Sequence, residues 1–387
     1  MTTLVARRRR RTLAMLATTL SVLAAVPVLG YVGVRAVLDS TGGRDAGADN
    51  LPVQTFPATP SALYATTDDA GVLSSVTVFV LAPSGVGGSI ISVPVNGDVG
   101  FANDARESLQ ATYAAGGAEA LSFAIESLLV ISVNFTTVND PAQTATFLTP
   151  FEPYQVTLTN DVVTDVDGVS DTLNAGTVVI DAQNGSRVLT SGAGLGQESS
   201  RRVNLEGFWV GFATSVGGGR PPEVAPTDGA LPASYDEFIT RLLAAPVQSR
   251  GLAVRTLEPE KNPTGIDVVE VNRSDAVFVF ASIAPGSMGA PALGPSYRLE
   301  APAGYDAQVQ YTIRVILFLG GNVVSVDTTS PIRDETIFLV PDEVNRGRVA
   351  VTDEIFGDIT FVEPIVRIAE VDVTIQLGTD YLESVEL

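Results

Sequence analysis

The stretch Ser108–Leu129, SLQATYAAGGAEALSFAIESLL, decides how the rest of the chain is read. Leu121, Ala124, Ile125, Leu128 and Leu129 recur at i, i+3, i+4, i+7 and i+8, one apolar stripe of a helix. Gly116-Gly117 interrupts the chain just before that stripe. Glu119 then falls in the first turn, where the helix dipole favours a negative charge. A helix beginning after the two glycines is therefore expected. Upstream, SVTVFVLAPSGVGGSIISVPV is two strand-like runs around a glycine-rich turn, and downstream VISVNFTTV reads as a third strand. The order strand, turn, strand, helix, strand is α/β.

The residues of that stretch resemble the LytR-CpsA-Psr family, membrane-anchored bacterial proteins that attach glycopolymers to the cell wall. In that family a strand ending in Ser-x-Pro-Arg-Asp leads to a segment like Lys-Ile-Asn-Ala-Ala-Tyr-Ala-x-Gly-Gly and then a helix. SVPVN at Ser92–Asn96 and SLQATYAAGG at Ser108–Gly117 occupy those places here. Tyr113, Ala114 and Gly116-Gly117 match the pattern, while its charged residues are missing.

Composition narrows the chemistry. The 387 residues hold neither cysteine nor histidine, which removes disulfides, thiolate metal sites, Ser-His-Asp and Cys-His machinery and the common zinc sets. Arg7–Arg11 is a basic run, and Thr12–Val34 carries no charge over 23 residues. About 20 apolar residues span a bilayer, whereas a cleaved signal has an apolar region of about 7–15. An uncleaved single-pass helix is expected, with Pro27 tolerated inside it and the N-terminus cytoplasmic. Everything after Arg35 is then extracellular, with 17 basic residues against 44 acidic ones. So negative a surface makes nucleic acid an improbable partner.

The expected order is a cytoplasmic arginine run and anchor over residues 1–38 and a linker over 39–60. A mixed-sheet α/β/α domain over 61–291 and a smaller α/β domain over 296–387 follow. Within the first domain, FEPYQVTLTNDVV and GTVVIDA alternate as strands on either side of an acidic loop, DVVTDVDGVSDTLNAG. Asp165, Asp167 and Gly168 match three positions of a calcium loop. Its first and twelfth positions would be Val163 and Asn174, so a solvated turn fits better. GAGLG at Gly192–Gly196 lacks the flanking strand and capped helix of a phosphate cradle. ESSRRVNLEGFWVGFATSV puts Leu205, Phe208, Trp209 and Phe212 on one helical stripe, and YDEFITRLLAA gives another amphipathic helix. EVNRSDAVFVFASIAPG is expected to supply a closing strand and turn.

The remainder resembles the LytR C-terminal domain, carried by YRLEA, LFLGGNVVSVDT and DVTIQLGTDYL. Alternation of Val309, Tyr311, Ile313 and Val315 suggests a strand, whereas Val309, Ile313, Ile316 and Leu317 fit a helix. The resemblance favours the helix, over about Ala307–Phe318.

The resemblance implies transfer of a phosphoglycan from a polyprenyl pyrophosphate carrier to a wall hydroxyl. Arginines and a divalent cation would neutralise and align the diphosphate. Here Val95 and Asn96 stand where the strand's Arg-Asp would be, Ser74 or Ser75 where an aspartate opens the first strand, and Ser108 where the lysine lies. Arg201 falls on the first arginine before the apolar helix, while Asn204 and Leu205 replace the second arginine and the glutamine. Arg202 and Asp98 are displaced substitutes, for the diphosphate and for a metal respectively. No cofactor is expected unless the chain is active, when Mg²⁺ would be required. Three readings follow: a catalytically degenerate relative that binds polyprenyl-linked or wall polymer, an active phosphotransferase with a rearranged site, and a structural anchor without ligand.

Overall fold

A computed structural model describes residues 51–100, 105–166, 169–191, 198–216, 231–289, 294–357 and 359–387. The expected membrane span and the glycine-rich segment 192–196 lie outside them. Among the described residues no helix is long and apolar enough to cross a membrane.

Along the chain, β1 (Val53–Gln54) precedes β2 (Ser61–Thr67), β3 (Leu73–Leu81) and β4 (Gly88–Val93). Helix α1 (Leu109–Leu129) leads to β5 (Phe135–Asn139) and α2 (Pro141–Leu148). Strands β6 (Tyr154–Leu158), β7 (Val162–Val166), β8 (Val169–Leu173) and β9 (Gly176–Ile180) come next. Helices α3 (Ala182–Thr190), α4 (Glu198–Val216) and α5 (Tyr235–Leu242) follow. Strands β10 (Val247–Gly251), β11 (Val254–Thr256) and β12 (Val269–Val271) precede α6 (Arg273–Ile283).

The first domain's sheet runs β10-β4-β3-β2-β5, antiparallel at its centre and parallel at both edges. Every residue of β2 and β3 is buried, as helices on both faces require. The period of two sorts those residues between two cores. Leu63, Ala65, Val76, Val78 and Val80 join α1 and α6 on one face. Ala62, Tyr64, Phe79 and Leu81 join α4 and α5 on the other.

The second domain holds β13 (Ser296–Glu300), α7 (Asp306–Phe318), β14 (Asn322–Asp327), β15 (Ile337–Leu339), α8 (Glu343–Val349), β16 (Thr360–Val362), β17 (Arg367–Ile368) and β18 (Val373–Gln376). Its sheet order is β14-β13-β18-β15-β16, and the helix expected over Ala307–Phe318 is α7. Apolar side chains of the α1 face run without a break into this domain, through α6, to Val309, Val323 and Leu382.

Several expectations change. Helix α1 starts at Leu109, eight residues before Gly117, because the Ser108 side chain accepts from Ala111 N and caps it. Gly117 is a kink inside the helix, at φ +65°, a conformation open to glycine. The third strand begins only at Phe135, since Val130 ends α1 in a left-handed conformation. The acidic segment is a hairpin, β7 with β8, instead of a loop; Asp167 and Gly168 lie outside the described residues. AVFVFASI belongs to α6, a helix where a strand was expected. Asn272 caps it by accepting from Ser274 and Asp275 N–H groups, and seven of its residues are buried between the two domains. The segment expected as a linker joins the folded body at its end. Strand β1 pairs with β17, and Ser287 Oγ donates to Thr59 O.

Candidate functional site

The positions matched to the resembled family converge where β3 begins, β4 ends and α4 starts. Arg201, 8% exposed, is fully engaged by the protein: Nε meets Glu198 Oε2 at 2.9 Å, Nη1 donates to Ser191 O at 3.1 Å, and Nη2 donates to Ser74 O. A guanidinium so held ties the start of α4 to β3 and is turned away from any outside anion. Glu198 is buried beside it, and desolvation pushes its carboxyl pKa up despite the arginine. Its other oxygen, Oε1, has no hydrogen-bond partner.

Ser74 and Ser75 spend their hydroxyls internally. Thr66 Oγ1 lies 3.0 Å from Ser74 Oγ and 2.7 Å from Ser75 Oγ, and donates to Leu189 O at 2.9 Å. Val95 is buried in the aliphatic core. Asn96 donates from Nδ2 to Asp267 Oδ1 at 3.1 Å, while its Oδ1 is buried without a partner. Ser108 is the cap of α1. Asn204 accepts from the Thr159 and Asn160 N–H groups at 2.9 and 3.0 Å and donates back to Asn160 O at 2.8 Å, pinning α4 to the turn after β6. Each replacement for a family charge thus has a local bonding or packing role.

The two displaced substitutes sit apart in their bonding. Arg202 is partly exposed, 3.7 Å from Glu206 on the next turn. Asp98 pairs with Arg106 and accepts from the Gly100 and Glu107 N–H groups at 3.0 and 3.3 Å, so it organises its own loop. It lines a cleft of about 670 Å³ on the α1 side, with Arg106, Phe123, Leu128 and Arg273. Among the described residues no group of three or more acidic side chains is disposed to hold a metal ion. Sequence reasoning missed Asp267 and Glu198. The Glu198–Arg201 spacing of one helical turn was the available signal.

Beneath α4 the interior is aromatic. Trp209, fully buried, meets Tyr64, Phe79, Phe208 and Phe212 at ring-centroid distances of 6.0, 5.5, 5.1 and 5.5 Å. Gly207 and Gly211 let the helix lie this close: a Cβ there would stand 2.2 Å from Thr157 O and 2.4 Å from Gln155 O, on β6. Burial pushes the Tyr64 hydroxyl up to about 12. Thr77 Oγ1, Trp209 Nε1, Tyr235 Oη and Ser249 Oγ are buried without a hydrogen-bond partner, while Tyr64 Oη faces the Thr144 hydroxyl.

No family model and no curated protein matches the chain. Solved structures similar to it include TagV of B. subtilis, at 13% identity and TM-score 0.41, over 57% of this chain and 93% of that one. A second is the LytR-CPS2A-psr family protein YwtF (TagT) with bound octaprenyl pyrophosphate, at 14% identity and TM-score 0.39, over 57% and 86%. A third is a transcriptional regulator of Enterococcus faecalis, EF0465, at 16% identity and TM-score 0.38, over 55% and 81%.

Proposed function

We propose that the protein is a membrane-anchored component of the cell envelope, related to the ligases that attach glycopolymers to peptidoglycan. In this reading it has lost the transfer reaction and binds polyprenyl-linked or wall polymer. The observation that carries the proposal is the state of Arg201, with all three of its nitrogens donating inside the protein. A diphosphate needs preorganised cations aimed at its oxygens, and loss of one such group can cost about 10²–10³ in rate. Here one arginine is spent, and Val95, Asn96, Ser108 and Asn204 put neutral side chains where the resemblance calls for charge or amide. Retention of binding is supported by the aromatic face, where Thr77, Trp209, Tyr235 and Ser249 each keep a buried polar atom without a hydrogen-bond partner. The apolar run Thr12–Val34 supports the anchor.

The test is transfer itself. Full-length protein in detergent, given a polyprenyl pyrophosphate-linked glycan, a wall acceptor and Mg²⁺, should release no polyprenyl phosphate and yield no conjugate, while native mass spectrometry finds lipid or glycan bound. Turnover under those conditions would overturn the loss of catalysis. Absence of any bound polymer or lipid would overturn the binding role.

A further inference from the structure

Where the chain enters the folded body, an apolar lip faces outward. Val53 is 63% exposed and Ile365 86%, with Val362 and Val366 also exposed. The backbone joins the two segments. Val53 pairs with Arg367, whose N–H donates to Pro52 O at 2.9 Å, and Ala369 N–H donates to Gln54 O at 2.8 Å. Large apolar side chains left outside together mark a surface that meets a partner or a membrane. The lip is also the neutral part of an acidic protein. Residues 51–60 carry no charge and residues 360–369 only Glu363 and Arg367, whereas the chain after Arg35 has 44 acidic residues against 17 basic ones. Val53 follows Val34, the last residue of the apolar run, by 19 positions, about 25 Å at the dimensions of a Gly-rich chain.

From this placement we infer that the lip formed by β1, β17 and the end of β16 rests on the outer leaflet of the bilayer that the proposed anchor crosses. The inference rests on that anchor and specifies which face of the second domain turns to the lipid. An anionic leaflet repels an acidic surface, so the face that can approach it is the one without net charge. Exposed valine and isoleucine side chains gain by entering the headgroup boundary. Tethering by the span makes that contact intramolecular, so few side chains suffice. Four of them fall short of the roughly 20–30 residues a side with which two copies hold together in a stable dimer. Phe318 is the contrast. It is 88% exposed and ends α7 just before β14, at the opposite edge of the sheet from β16.

The chain has no cysteine, so one introduced at a time takes a nitroxide label at a single place. Full-length protein carrying Val53→Cys, Ile365→Cys or Phe318→Cys is placed in vesicles of phosphatidylglycerol and phosphatidylethanolamine. Collision of the label with oxygen is then compared with collision with a water-soluble nickel chelate. With the lip at headgroup depth, the oxygen-to-nickel ratio at positions 53 and 365 should be about threefold that at position 318. Adding Ile365→Asp to Val53→Cys should bring the ratio down to the value at position 318. Equal ratios at the three positions, or a ratio unmoved by Ile365→Asp, would overturn the inference. So would spin–spin broadening at position 365, which would mean that a second copy covers the lip. Alkaline carbonate washing distinguishes this failure from failure of the anchor. Protein that stays in the vesicles with its labels in water overturns the lip alone, and unaltered protein that washes off overturns both.

Discussion

The two faces of the first domain's sheet are built from alternate residues of the same strands, yet they differ in chemistry. The α1 face is aliphatic, with Leu63, Val76, Val78, Val80 and Ile91, and it runs on through α6 into the second domain. The α4 face is aromatic, with Tyr64, Phe79, Phe208, Trp209 and Phe212. Among the described residues of the first domain, Thr77, Trp209, Tyr235 and Ser249 on the α4 face each leave a buried side-chain polar atom unpaired, as do Glu198 and Asn96 at its rim, whereas the aliphatic core of the α1 face leaves none. A protein tolerates such groups rarely, because each costs about 1–3 kcal/mol when nothing meets it. The difference separates a face that joins the domains through aliphatic packing from one that leaves polar groups over, and it can be attacked from either side.

The largest effect should come from the closeness of α4 to β6. Gly211→Ala would drive a methyl group into the Gln155 carbonyl, 2.4 Å from its ideal position, and backbone cannot step aside cheaply. Denaturant unfolding should show a loss of about 3 kcal/mol, the upper end for overpacking. Gly347→Ala is the control, an exposed helical glycine whose added methyl meets nothing within 4 Å. It should gain about 0.5–1 kcal/mol.

Next comes a matched pair on β3. Val78→Thr puts a hydroxyl on the aliphatic face, where it should cost about 2 kcal/mol. Thr77→Val removes an unpaired hydroxyl from the aromatic face and keeps the shape. In ligand-free protein it should gain about 1 kcal/mol. A loss at Thr77 instead would mean that water or ligand already meets the hydroxyl, and the asymmetry between the faces would be smaller than drawn.

A further variant probes the face that joins the domains. Asp275, buried, accepts from Arg250, from Ala253 N at 2.8 Å and from Gln310 of the second domain at 3.3 Å. Asp275→Ala should cost about 2 kcal/mol, below the 3–5 kcal/mol of a fully buried pair because Arg250 is half exposed. Amide hydrogen exchange in α6 and α7 should then quicken.

How much of this was legible beforehand differs by element. The β3–β4 hairpin, the stripe on α4 and the helix α7 follow from periodicity that tertiary contacts reinforce. Helix α6 misled because Val277, Phe278, Val279 and Phe280 have strand propensities, and packing from both domains overrides propensity. Its signal was Asn272 with Asp275 three residues on, a cap written in polar residues beside a louder apolar run. The missing family charges were legible residue by residue. What replaced them was not, since Arg201's bond to Ser74 O joins residues 127 apart in sequence.

The smallest effect concerns the rim of the aromatic face. Burial raises the Glu198 pKa in the folded protein above its ordinary 4.5, so the folded state holds that proton when the unfolded chain has already lost it. Stability from this group is therefore present at low pH and declines as pH rises from about 4.5 through the raised value. Glu198→Gln removes the titration, so the stability of the unaltered protein minus that of the variant should fall as pH rises through that window. Its sign also sharpens the comparison between faces. If that difference rose with pH instead, Arg201 would be holding the Glu198 carboxylate more strongly than burial opposes it. The rim would then be a satisfied ion pair, as well matched internally as the aliphatic side.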